Sequence, residues 1–259
     1  MLCMENTDGI ILILSCQKHE NTRLRKYRLT KNTYGSWKVI YVIGDIFMES
    51  QYKIINKENM NILYIKCEDS YIHLLKKLSL AIKYVIELYN PKKGILRCGD
   101  DLLFNEDRLI EFLNEKHSDF VGQSWDKLYK PTTNKKLLKN TIYDPFMVNY
   151  YEHNKDDFEN PLHNLKNVNI RKYVKRPDII GPSGVIYYLS INACNILTKH
   201  MEKIQYNIFS FDDFSNSYPY TIEDVGVSFI MQLNDIQYIN NLYLFDNKNA
   251  LAKHTNEFK

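Results

Sequence analysis

Short apolar runs alternate with charged stretches through the first half of the chain. Ile10–Leu14 is uninterrupted by polar residues, the pattern of a central parallel strand covered on both faces. Lys38–Ile43, closed by Gly44-Asp45, reads as a second strand, Asn61–Ile65 as a third and Gly94–Cys98 as a fourth. Between the first two, Lys18–Lys31 has few breakers and several arginines (Arg23, Arg25, Arg28), which predicts a helix. From Ser70 to Tyr89 the apolar residues Tyr71, Leu75, Leu78, Ile82, Val85, Ile86 and Tyr89 keep helical spacing. Ser70 is placed to cap that helix and Pro91 lies just beyond its end. Glu106–Lys116 predicts a further helix and Asp119–Val121 a short strand.

Four rounds of strand and helix imply an α/β fold, with a mostly parallel sheet flanked by helices. From 123 to 180 the period decays into Lys, Asn, Tyr and Pro, and a long irregular segment of this kind in a compact domain commonly carries function. Order resumes at Gly184–Ser190, then in helices near Ile191–Lys199 and at Glu223–Leu233, and apolar runs at Ile236–Ile239 and Leu242–Phe245 complete the core. No internal repeat or linker divides the chain, so one domain is expected over 1–259, with residues 1–122 as one half and 123–259 as the other.

Composition narrows the class. The 259 residues carry 44% apolar and 25% charged side chains, ordinary for a globular protein. A net charge of +3 with no basic block argues against nucleic acid as a partner. The five cysteines (3, 16, 67, 98, 194) include no C-x-x-C pair, so neither a disulfide framework nor a zinc site is expected, and a reducing compartment is the natural inference. Residues 9–15 are too short to span a bilayer and lack a basic flank, so a cytoplasmic protein without a membrane span is expected. The Asn, Ile, Lys and Tyr bias suits an AT-rich genome, such as that of a large DNA virus.

Candidate chemistry lies at two acidic pairs. Asp100-Asp101 ends the fourth apolar run. Asp is depleted within strands, so the pair belongs at a strand's carboxyl end, where open α/β sheets place their ligands. Two carboxylates there can hold a hard divalent cation, which can in turn hold a diphosphate; a solvated turn would read the same. Glu223-Asp224 precedes Val225–Met231. It reads either as an acidic helix start or as the source of a general base for an acceptor hydroxyl. Gly181-Pro182-Ser183-Gly184 lets backbone approach a ligand or simply turns the chain.

Several landmarks, in order, resemble the β-1,3-glycosyltransferase family of galactosyltransferases and Fringe-type N-acetylglucosaminyltransferases. Arg28-Leu29-Thr30 resembles its Arg-x-Thr-Trp motif, with Lys31 where Trp is usual, and Tyr41-Val42-Ile43-Gly44 its second strand. Asp69-Ser70-Tyr71, Leu74 and Lys77 fall on the family's Asp-Ser-Tyr-x-Asn-Leu-Thr-x-Lys, with His73 in place of Asn. Arg97-Cys98-Gly99-Asp100-Asp101 resembles Lys-x-Asp-Asp-Asp, Gly184–Ser190 resembles Gly-Gly-Gly-Tyr-Val-Leu-Ser, and Glu223-Asp224-Val225 is identical to Glu-Asp-Val. Gly99 departs from the first Asp of the triple, which spares the metal but alters the donor-sugar side.

The resemblance implies a GT-A fold, Rossmann-like, and an inverting transfer from a UDP-sugar to a glycan or glycoprotein hydroxyl, with a β-1,3 linkage and Mn²⁺ (or Mg²⁺). It implies Asp101 and His254 as metal ligands and Asp224 as catalytic base. It further implies Arg28, Asp69, Lys77, Arg97, Asp100, Gly184 and Glu223 as donor-binding residues. The rival classes are a phosphoesterase holding two metals on Asp100, Asp101, Glu223 and Asp224, and a non-catalytic glycan-binding relative.

Overall fold

The computed structural model describes residues 7–71, 73–124, 141–143, 175–177, 181–204, 220 and 222–255. Most of the irregular stretch 123–180 therefore lies outside the described residues. The first half runs β1 (Gly9–Leu14), α1 (Gln17–Glu20), α2 (Arg23–Lys26), β2 (Thr33–Tyr34), β3 (Trp37–Gly44), β4 (Tyr52–Lys57), β5 (Met60–Ile65) and α3 (Leu74–Tyr89). It continues through β6 (Gly94–Gly99), β7 (Leu102–Phe104), α4 (Glu106–Asn114) and β8 (Phe120–Gly122). Beyond lie β9 (Thr141–Tyr143), β10 (Lys175–Pro177), β11 (Ile186–Ser190), α5 (Ile191–Met201), α6 (Glu223–Leu233), β12 (Tyr238–Asn240) and β13 (Ala252–His254).

Among the described residues one large sheet has the order β12-β8-β11-β6-β1-β3-β5-β4, with β2 paired to β3. The block β6-β1-β3-β5 is parallel, as the alternation of strand and helix predicts. β4 joins its edge antiparallel to β5, while β11 runs antiparallel between β6 and β8. Two small antiparallel pairs, β9 with β10 and β7 with β13, lie apart.

The continuous apolar runs are explained by cores on both faces. Ile10, Leu12 and Leu14 pack with α3, α5 and α6 on one face. Ile11 and Ile13 pack with Leu24 of α2, with Leu109, Phe112 and Leu113 of α4, and with Phe245 on the other. Fully burying one such aliphatic side chain stabilises the fold by roughly 1.5–3 kcal/mol, so the doubly covered strands are the centre of stability.

Four sequence expectations change. The helix expected over Lys18–Lys31 is two single turns, because that stretch has no continuous apolar stripe: in α1 no residue is buried, in α2 only Leu24. The helix expected from Ser70 begins at Leu74; the Ser70 hydroxyl is instead joined to His73 Nδ1 at 2.7 Å. β4 has no apolar run, since it is a half-exposed edge strand. Leu242–Phe245 forms no named strand, only a bridge from Phe245 to Ala252. By contrast α6 spans Glu223–Leu233 as expected, and Asn90, with φ of 42°, closes α3 in the left-handed conformation just before Pro91. No described helix is long and apolar enough to cross a membrane.

Candidate active site

Parallel register brings the carboxyl ends of β1, β3 and β6 level: Leu14 stands beside Val42 on one side and Gly99 on the other. The residues that follow each strand therefore meet at one edge. Asp69, after β5, ties them together. Its Oδ1 accepts from Lys77 Nζ at 2.6 Å and from the Gly44 amide at 3.2 Å, and its Oδ2 from the Gln17 amide at 2.7 Å. Lys77, only 2% exposed although it sits on a helix, also donates to the Ser15 carbonyl at 2.6 Å. A buried ammonium is tolerated only when paired and hydrogen-bonded, and here both conditions hold.

The turn from β6 to β7 carries the first acidic pair. Asp100 is buried and receives three donors or cations: Ser15 Oγ at 2.7 Å, His19 Nδ1 at 2.8 Å and Arg23 Nη1 at 3.1 Å. Asp101 is more open. Its Oδ2 faces Arg23 Nη1 at 3.5 Å and His254 Nε2 at 3.4 Å. β13 delivers that histidine, and Thr255 fixes the geometry by donating both its amide and its hydroxyl to the Asp101 carbonyl at 2.9 Å each. Gly99 lets the Asp101 carboxylate fold back over the strand end: a Cβ at 99 would lie 2.9 Å from Asp101 Oδ1.

Asp101 Oδ2 and His254 Nε2 form a converging oxygen–nitrogen pair, a donor set that fits Mn²⁺ better than Mg²⁺, which prefers oxygen alone. Among the described residues no three His, Cys, Asp or Glu side chains are grouped to hold a metal. A cation on this pair therefore takes its other ligands from water or a bound anion, the usual habit of Mg²⁺ at phosphate sites.

The second acidic pair opens α6 and faces the first across β6 and β11. Arg97, on β6, is wholly buried beneath them. It pairs with Glu223 Oε2 at 3.0 Å and donates to the Gly184 carbonyl, and its guanidinium lies 5.4 Å from the centre of the Tyr187 ring. Tyr187 donates its hydroxyl to Glu223 Oε1. Burial pushes the Glu223 carboxyl up to about 7, against the pull of Arg97 and with the help of Asp224. Asp224 points the other way: its Oδ2 accepts from the Gly184 amide at 2.8 Å and its Oδ1 from the Val225 amide at 2.8 Å. A side chain at 184 would crowd the other carboxylate, since a Cβ there would meet Glu223 Oε2 at 3.2 Å. Gly99 in turn donates its amide to the Val185 carbonyl at 2.9 Å, so both acidic pairs belong to one sheet edge.

Of the residues singled out in the sequence, Asp69, Lys77, Asp100, Asp101 and His254 join the cluster at the ends of β1, β3 and β6. Gly184 and Asp224 adjoin it through β11. Arg97 and Glu223 lie underneath, closed from solvent at 3% side-chain exposure each, although Arg97 Nε has no hydrogen-bond partner among the described residues. Arg28 is placed elsewhere, donating to the Glu58 carbonyl at 2.7 Å beside the β4–β5 turn. Ser15, Gln17, His19 and Arg23 were not marked by any motif, although they follow β1 directly. A strand's carboxyl end was itself the signal that could have found them.

A family model described as galactosyltransferase matches residues 21–241, which include both acidic pairs and all of the large sheet except β1. A comparison with curated proteins gives no match. The chain belongs to the galactosyltransferase family, and the class of activity this supports is glycosyl transfer.

Proposed function

We propose that this galactosyltransferase-family chain is an inverting, metal-dependent enzyme that moves a hexose or N-acetylhexosamine from a UDP-sugar to a glycan or glycoprotein hydroxyl, forming a β-1,3 linkage. The observation that carries the reading is the division of labour between the two acidic pairs. One, Asp100-Asp101, stands with cations and His254 at the strand ends. The other offers Asp224 alone, because Arg97 and Tyr187 consume its neighbour.

Asp101 and His254 would hold Mn²⁺ or Mg²⁺, and the cation would supply Lewis-acid neutralisation of the charge on a departing diphosphate. Asp224 accepts the proton of the attacking hydroxyl, its carboxylate aimed by the Gly184 and Val225 amides. A single displacement inverts the sugar, so no covalent nucleophile is required. Asp69 and Lys77 brace the wall of the nucleotide pocket, and Asp100 anchors the Ser15–Arg23 segment over it. Arg97 and Glu223 act from below, as residues that position Gly184 and Asp224 rather than as donor contacts. The enclosure of Glu223 also counts against a phosphoesterase with two metals shared among four carboxylates, since this carboxylate is not available as a ligand.

The test is hydrolysis of UDP-, GDP- and dTDP-sugars by the purified protein, with Mn²⁺ and with EDTA. Transfer to water reads the donor without a known acceptor. Mn²⁺-dependent release of one sugar from UDP is the expected result. Silence across the panel, joined to no thermal shift with UDP and Mn²⁺, would transfer the chain to the glycan-binding reading.

A further inference from the structure

The Asp101 oxygen that faces His254 is also faced by a cation of the chain itself. Arg23 Nη1 lies 3.5 Å from Asp101 Oδ2 and 3.1 Å from Asp100 Oδ1, bridging the two carboxylates with its side chain 16% exposed. A divalent ion seated on Asp101 Oδ2 would stand next to this guanidinium. Like charges at such range in a half-buried site repel strongly, and an intervening anion removes the repulsion. We propose that Arg23 is a resident counter-cation that makes metal binding at Asp101 conditional on the donor's diphosphate. With the carboxylates alone, Arg23 holds the place of the metal. With a diphosphate present, the guanidinium has a second anion to pair with, in the bidentate geometry arginine offers phosphates, and Asp101 is released to the metal.

The change asked of Arg23 is one of side-chain rotamer, on a backbone that Leu24 fixes in the core. His19 and Ser15 keep their hydrogen bonds to Asp100 whichever way Arg23 turns. The inference rests on the transferase reading for the identity of the anion, but not for the competition at Asp101.

The experiment is direct metal binding, by electron paramagnetic resonance of free Mn²⁺, to the full chain and to Arg23→Gln, each with and without UDP. The wild type is expected to take up Mn²⁺ only weakly until UDP is added. Arg23→Gln is expected to bind Mn²⁺ alone about tenfold more tightly and UDP about tenfold more weakly, as loss of one close charge contact predicts. Arg23→Lys should stay near the wild type in Mn²⁺ binding. Arg23→Gln combined with Asp101→Ala should lose the gained affinity. Equal Mn²⁺ affinity in wild type and folded Arg23→Gln overturns the proposal, as does a gain that survives Asp101→Ala. A gain in Mn²⁺ affinity in a protein that never binds UDP upholds the competition and overturns the transferase reading instead.

Discussion

Replacing Arg97 by Met tests how the buried ion pair supports the site. Met keeps an unbranched apolar stem but ends short of the guanidinium, so the substitution removes charge and donors together with part of the volume. Glu223 would keep only the Tyr187 hydroxyl, and the Gly184 carbonyl would lose its donor. Removing one partner of a buried pair costs about 3–5 kcal/mol. For a domain of this size that corresponds to a fall in Tm of roughly 6–20 °C. The pH dependence gives the sharper signature. In the wild type the Glu223 carboxyl is raised from 4.5 to about 7. The folded chain therefore binds its proton more tightly than the unfolded chain, and this group's contribution to stability declines as pH climbs through that interval and is level above it. Without Arg97 the folded pKa rises further, so the decline continues beyond pH 7 at up to about 1.4 kcal/mol per pH unit. Urea denaturation at pH 6, 7, 8 and 9 should show the gap between variant and wild type widening with pH. Arg97→Met combined with Glu223→Gln should lie parallel to the wild type above pH 7. A gap smaller than about 1 kcal/mol, or one that stays constant from pH 7 to 9, would refute the reasoning.

Asp224→Asn should bind UDP as the wild type does but lose about 10²–10⁴ in turnover; full activity in a coupled UDP-release assay sinks the base assignment. Asp101→Ala should abolish Mn²⁺-dependent sugar release and the thermal shift given by UDP with Mn²⁺, without lowering the Tm of the protein alone. Lys77→Met should cost about 3 kcal/mol in urea denaturation, because Asp69 keeps two amide donors but loses its buried cation; a loss near zero would mean that the pair is not structural. Gly94→Ala should destabilise by at least about 1–3 kcal/mol, since a Cβ there would lie 2.2 Å from the Leu189 carbonyl oxygen of the adjacent strand; an unchanged melting curve by circular dichroism would contradict that close approach.

What the sequence made legible follows from where its physics is local. Doubly buried strands announce themselves as unbroken apolar runs, so β1, β3, β5 and β6 were found within a residue of their observed ends. The start of α6 at Glu223 was readable because acidic residues favour a helix N-terminus. β4 was missed since an edge strand needs no apolar run, and α1 and α2 were merged because charge alone does not show where a chain turns. Within the site, Asp100-Asp101 stood out as carboxylates where a strand must end. His254 was reached only through family resemblance, since no period links it to a residue so distant in sequence. Lys77 was found in the same way, its burial being set by Asp69 rather than by its helix. Arg23 and Arg28 looked alike in one arginine-rich stretch, and only the end of α2 at Tyr27 separates the one that meets the carboxylates from the one that meets Glu58.

The pairing of β7 with β13 sets an order of assembly. The β6–β7 turn can form well before its partner strand is made: Thr255 clasps an Asp101 carbonyl 154 positions away. A nascent chain can build the parallel block β6-β1-β3-β5 from its first hundred residues and still lack the histidine that faces Asp101. Completion of the acidic site thereby waits on synthesis of β13, so that a product interrupted before that strand would own the scaffold without the histidine that faces Asp101.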